Sequence, residues 1–305
     1  MNAARALLQT ALADLADVPA TSRWVRSGAV RLHVLDYGGD GVPLVVLPGI
    51  TSPAITMDFV ARELTDLVRP VVVDVRGRGL SDAAGTYTLE DYADDTVAVI
   101  EGLGLERPLL LGHSMGARIA AVAAARGTDL SGTVLVDPPM RGPGRGPYPT
   151  TLEVFLDQLA QARHGATADE VARSWPRWPR REQELRARWL SSCDADAIAA
   201  THRGFETEDF FDAWPHVAAP TVLIRGGDSP VVTAAGAAEA AAANPAAGVV
   251  TVPGAGHMVF WDAPAGALAA LRDAVVAARS GDGAGGPVVD GSPRASSSGR
   301  SRPRR

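Results

Sequence analysis

The chain has 305 residues, a formal charge of −6 at neutral pH and 46% hydrophobic residues, ample material for one large α/β domain or two small ones. The acidic balance argues against nucleic acid as a main partner, because a phosphate-binding surface needs an overall or clustered excess of Lys and Arg. A single cysteine, Cys193, excludes an intramolecular disulfide framework and fits a reducing cytoplasm; no paired histidine motif marks it as a nucleophile, so it reads as a packed thiol.

Near the start, Arg5 precedes the apolar Ala6-Leu7-Leu8, but Asp14 and Asp17 interrupt the run before it reaches the length of a secretion signal. No stretch approaches the roughly eighteen uninterrupted apolar residues of a membrane span, so a cytoplasmic protein without membrane association is expected. Residues 1–24 are expected to form a helical extension. Residues 30–37 alternate apolar and polar side chains and run into Gly38-Gly39-Asp40-Gly41, which predicts a hairpin of the first two strands. Residues 43–47 make a short buried strand ending at Pro48-Gly49, 60–67 have helical spacing, and 70–75 form another mostly apolar strand. Thr88 is the expected N-cap of a helix reaching about residue 101, with Glu90 and Asp91 in its first turn. The apolar Pro108-Leu109-Leu110-Leu111 is followed by Gly112-His113-Ser114-Met115-Gly116 and then by Ala117-Arg118-Ile119-Ala120-Ala121, of helical composition. Two further strands are expected at 133–136 and 221–225. Short apolar strands alternating with helices predict an α/β fold, a mostly parallel central sheet with helices on both faces.

Between residues 137 and 220 the rhythm breaks into Pro/Gly loops, amphipathic stretches and four of the six tryptophans, Trp175, Trp178, Trp189 and Trp214. An insertion of this length is too long for a plain connection and reads as a helical lid, inserted after strand 6, over the strand C-termini where such folds place ligands. Most of the tryptophans are expected in the lid core, with one or two lining a pocket. The expected division is a core of 25–140 and 216–279, a lid of 141–215, and a tail of 280–305 whose Gly, Ser, Pro and Arg composition predicts disorder.

The chemistry centres on Ser114. A G-x-S-x-G between a strand and a helix allows a turn so sharp that the serine hydroxyl stands clear of the backbone. A serine hydroxyl is a poor nucleophile until an imidazole takes its proton and a carboxylate holds that imidazole in the right tautomer. His257, in Gly254-Ala255-Gly256-His257-Met258, follows the strand-like residues 248–252 and has small neighbours that let its loop reach back over the sheet. His33 lies on a predicted strand, His113 is expected to point away from the serine, and His164, His202 and His216 fall in the insertion or at its end; no pairing of histidines has metal-ligand spacing. Two carboxylates can orient the imidazole: Asp228, after the seventh strand, and Asp137, in Val136-Asp137-Pro138-Pro139 at the end of the sixth. One is the triad acid and the other a residue that stabilises its loop. Negative charge developing on a substrate oxygen needs preorganised donors, for which the backbone N–H groups of Met115 and Ile50 are the candidates.

The segments Leu47-Pro48-Gly49-Ile50-Thr51-Ser52, Asp74-Val75-Arg76-Gly77-Arg78-Gly79, Gly112 to Arg118, and Gly254 to Met258 with Trp261-Asp262 together resemble the α/β-hydrolases. More narrowly they resemble the N-formylmaleamate deformylases of bacterial nicotinate degradation, a likeness that continues into Gly142-Pro143-Gly144-Arg145, Tyr148-Pro149 and Arg188-Trp189-Leu190 with Cys193. The resemblance implies the α/β-hydrolase fold and hydrolysis of a formyl amide on a small unsaturated carboxylate, releasing formate and maleamate, with no metal or organic cofactor. It also implies an acid at the position of Asp137 and none in the loop that here carries Asp228, a departure from the family pattern. A small anionic substrate would need cations, and Arg118 and Arg145 are the candidates for a carboxylate clamp, with surface or salt-bridging roles as the alternative. The same serine chemistry serves a carboxylesterase, a lactonase or a carbon–carbon bond hydrolase, and a hydrolase scaffold with slow turnover can act as a ligand receptor.

Overall fold

The computed structural model describes residues 9–280; the expected tail from 281 onward and the first eight residues lie outside the described residues. Eight strands form one sheet: β1 (Thr21–Ser27), β2 (Val30–Asp36), β3 (Pro43–Leu47), β4 (Arg69–Val73), β5 (Leu109–His113), β6 (Gly132–Val136), β7 (Thr221–Gly226) and β8 (Gly248–Val252). Their order is β1-β2-β4-β3-β5-β6-β7-β8, antiparallel between β1 and β2 and between β2 and β4, and parallel across the rest.

Strand periodicity explains the two cores. Val45 and Leu47 of β3 join one apolar cluster while their neighbours Leu44 and Val46 join the other, as alternate residues on a pleated strand must. Helices α1 (Gln9–Asp14) and α2 (Asp58–Arg62) supply the second cluster, whereas α3 (Leu89–Gly102) and α4 (Met115–Ala125) supply the first. The insertion between β6 and β7 holds α5 (Leu152–Arg163), α6 (Ala168–Ser174), α7 (Arg180–Trp189), α8 (Ala195–Thr207) and α9 (Phe210–Ala213). The C-terminal part adds α10 (Ala234–Ala243) on the first face and α11 (Val259–Asp262) and α12 (Pro264–Ser280) on the second.

Thr88 caps α3 as its sequence predicts, in a reciprocal capping box with Asp91. Three expectations need correction. The first hairpin is β1–β2 about Gly28, at φ +56°, and the Gly38–Gly41 turn carries the chain to β3, which pairs with β4 and β5 instead of β2. The N-terminal helical stretch ends at Asp17, and Thr21 to Trp24, assigned to the extension, are β1. The helix expected over 60–67 stops at Arg62, beyond which the chain turns into β4. Among the described residues no helix is long and apolar enough to cross a membrane.

Candidate active site

Three of the residues singled out by sequence converge at the C-terminal ends of the parallel strands. Ser114 joins β5 to α4 with φ +54° and ψ −117°, a strained conformation for a non-glycine residue. The flanking glycines make that turn possible. A Cβ on Gly116 would lie 1.8 Å from the Leu47 carbonyl oxygen, and one on Gly112 would lie 2.1 Å from that of Gly116. Asp137, directly after β6, also has a positive φ, +48°.

Ser114 Oγ is 2.9 Å from His257 Nε2, and His257 Nδ1 is 2.7 Å from Asp137 Oδ2. A carboxylate can only accept, so Nδ1 carries the proton and Nε2 is left to accept from the serine hydroxyl. Asp137 is itself fixed: the Gly226 N–H donates to Oδ1 at 3.0 Å, and the Ser229 hydroxyl donates to Oδ2 at 2.5 Å. The Ser229 oxygen accepts in turn from the N–H groups of Val231 and Val232. Asp228 is not part of this arrangement. It is exposed, and its backbone N–H donates to the Ala255 carbonyl two residues before the imidazole. The end of β7 and the loop after it thus support Asp137, through Gly226 and Ser229, rather than supplying a carboxylate.

A cavity of about 70 Å³ stands over Ser114, lined by Ile50, Thr51, His113, Tyr148, Gln158, Trp175, Trp178, Arg186 and His257 among others. Among the described residues no hydrogen bond takes up the backbone N–H of Ile50 or Met115, so both remain available as donors. His113 does not point away as the sequence suggests. Its Nε2–H donates to the His257 carbonyl at 3.0 Å, and its ring lies 5.4 Å from the imidazole. Burial, with the neighbouring His257 charge, pushes the His113 pKa down to about 3, so this ring stays neutral. Tyr148, from the loop that opens the insertion, brings its hydroxyl 3.2 Å from His257 Nε2 and packs its ring 4.8 Å from that of Phe205; burial raises its pKa.

The two candidate clamp arginines are elsewhere, which corrects the expectation of a carboxylate clamp. Arg118, one turn along α4, is 1% exposed and donates to the carbonyls of Pro139, Arg141 and Glu208. Arg145 pairs with Asp209 and Glu239 and lies over the Phe211 ring. Both tie the insertion to the core, and neither lines the cavity. The arginine that does is Arg186 on α7, which sequence reasoning missed. Its signal was faint: with Glu182, Leu185 and Trp189 it occupies the buried stripe of α7, where a charged residue is unexpected. Two of the four inserted tryptophans, Trp175 and Trp178, line the cavity, while Trp189 and Trp214 are buried in packing. Cys193 is buried, as a packed thiol would be.

A family model described as the alpha/beta hydrolase family matches residues 44–271. The chain belongs to the α/β-hydrolase family. This hydrolase is 41% identical over 252 residues to N-formylmaleamate deformylase of Pseudomonas putida, covering 82% of the chain and 94% of that protein. It is 33% identical over 281 residues to 2-(acetamidomethylene)succinate hydrolase of Mesorhizobium japonicum, covering 86% and 97%. Among solved structures, that of N-formylmaleamic acid deformylase from Pseudomonas putida S16 superposes with a TM-score of 0.78 at 38% identity, over 82% of this chain and all of that one.

Proposed function

We propose that the enzyme is a serine amidohydrolase that cleaves a formyl amide, or a related amide, of a small carboxylic acid, as its relatives' names describe for them. The observation that carries this reading is the hydrogen-bonded series Ser114–His257–Asp137 beneath a small cavity, in a chain 41% identical to a deformylase. Ser114 Oγ attacks the formyl carbon while His257 Nε2 takes its proton, and Asp137 stabilises the imidazolium that forms. The N–H groups of Ile50 and Met115 receive the negative oxygen of the tetrahedral intermediate. His257 then returns the proton to the departing amide nitrogen, the C–N bond breaks, and a formyl ester remains on Ser114. Water, deprotonated by His257, hydrolyses that ester to formate and restores the serine. Tyr148, beside Nε2, orients the leaving nitrogen at the moment it needs the proton. The insertion serves as a lid that closes this cavity from solvent. The anionic substrate and the cytoplasmic setting belong to the same proposal.

The test is formate release from N-formylmaleamate by the purified enzyme in the presence of a chelator. Sustained release that Ser114→Ala abolishes is the expected result. No formate, with brisk hydrolysis of neutral p-nitrophenyl esters, would give the site to an esterase instead.

A further inference from the structure

Among the described residues that line the cavity, Arg186 carries the one full positive charge, and no carboxylate faces it there. Its guanidinium is buried, and its hydrogen bonds run to neutral oxygens: Nη1 donates to the Thr51 carbonyl at 2.7 Å and hydroxyl at 2.8 Å, and Nη2 to Gln158 Oε1 at 3.2 Å. By contrast Arg181, on the same helix, is compensated by Asp58 and Glu182, and Arg145 by Asp209 and Glu239. Burial lowers the Arg186 pKa to about 10, which still leaves it cationic at neutral pH. A buried cation without a counter-ion is costly, and the cost is relieved when a ligand supplies the missing charge. A guanidinium has five N–H groups, and the three bonds leave Nε–H and one Nη2–H, the edge that grips a carboxylate through two parallel bonds.

We infer that Arg186 anchors a carboxylate of the substrate inside the cavity that holds Ser114, and so selects short acids over neutral amides and esters. The inference rests on the hydrolase reading for which bond of the bound acid reacts. Because Ser114 and Arg186 line one small cavity, the carboxylate and the scissile carbonyl must belong to one short molecule. Arg186 also holds both oxygens of Thr51, the residue after Ile50, so a carboxylate docked on it steadies the loop that supplies an oxyanion donor. A neutral substrate gains neither effect.

Maleate and its neutral diamide, maleamide, are the probes. Calorimetric titration of the intact protein is expected to give maleate a dissociation constant at least about ten-fold lower than that of maleamide, and maleate is expected to protect Ser114 from sulfonylation by phenylmethylsulfonyl fluoride. Arg186→Lys, which keeps the charge but not the two-pronged edge, is expected to weaken maleate about ten-fold or more. Arg186→Lys also loosens Thr51, which is expected to lower turnover of neutral p-nitrophenyl acetate and of the anionic substrate by the same factor; the anchor predicts, on top of that shared loss, a rise of about ten-fold in KM that only the anionic substrate shows, and a shared loss with no such rise would confine Arg186 to holding Thr51. Equal binding of maleate and maleamide, or maleate affinity unchanged in Arg186→Lys, would overturn the inference. Maleate binding needs no turnover. Anion binding without formate release counts against the formyl-amide reading alone, and formate release without anion selectivity counts against the anchor alone.

Discussion

The C-terminal edge of the sheet and the helical insertion face the same cavity, but they are built on different principles. At the sheet edge, backbone conformation does the positioning: Ser114 and Asp137 sit at positive φ, and Gly112 and Gly116 leave no room for a side chain. In the insertion, position depends on which face of a helix turns inward. Arg186 and Arg188 lie two residues apart on α7, yet one lines the cavity and the other pairs with Asp14 of the N-terminal helix. Under the function proposed above, the difference is a division of labour in which the sheet edge carries the reaction and the insertion chooses the reactant.

Substitutions at the sheet edge therefore have the largest expected effects. Ser114→Ala is expected to lower kcat on the order of 10⁵-fold or more while leaving the fold intact, since it removes the nucleophile and little volume. Asp137→Asn is expected to cost about 10⁴-fold by favouring the wrong imidazole tautomer, with Asp228→Asn within about three-fold of wild type. Steady-state kinetics on the two aspartate variants checks this, and the reverse order of effects would move the triad acid to Asp228.

The contrast between the two regions also explains what the sequence disclosed. The meeting of Ser114 and His257 was legible because each lies in a short, local pattern tied to a strand end. The choice between Asp137 and Asp228 was not, since both follow strands that run side by side. It turns on Gly226, the last residue of β7, and Ser229, in the very loop that carries Asp228, both of which direct their hydrogens at Asp137. Most strands could be read from their apolar runs, but the hairpin partner could not, because the pairing of β2 with β4 bypasses β3 in space. Arg118 and Arg145 looked like ligand-binding residues because the sequence gives charge without direction. Their actual partners, three carbonyls for one and two carboxylates for the other, come from distant segments.

Arg118→Met sharpens the comparison from the insertion's side. It leaves the carbonyls of Pro139, Arg141 and Glu208, the first of them in a buried bond, without their donor, so a loss of about 2–4 kcal/mol in stability is expected with KM changed less than about three-fold. Urea unfolding alongside kinetics separates the two effects, and a large rise in KM with stability intact would restore Arg118 as a substrate residue.

The smallest expected effect lies where α7 meets the core. Arg181 bonds both Asp58 and Glu182, and burial pushes the Glu182 carboxyl up to about 7. Because its folded-state pKa is raised, the folded protein holds the proton more tightly than the unfolded chain. The stability it protects is complete below the ordinary carboxylate range and is lost as pH rises toward 7. Glu182→Gln is therefore expected to stabilise the protein at pH 8 on the order of 2 kcal/mol and to do little at pH 4. Melting curves at the two pH values check it; an equal shift at both would place the effect outside Glu182 ionisation.

The central claim is that Ser114 carries the formyl group between amide and water. Acid quenching during turnover of N-formylmaleamate, followed by mass spectrometry of the peptide bearing Ser114, tests it most directly. A formyl adduct on Ser114 that appears with substrate and decays as formate accumulates is the predicted result. An enzyme that releases formate at full rate with no adduct on Ser114, and retains that rate as Ser114→Ala, would contradict the account.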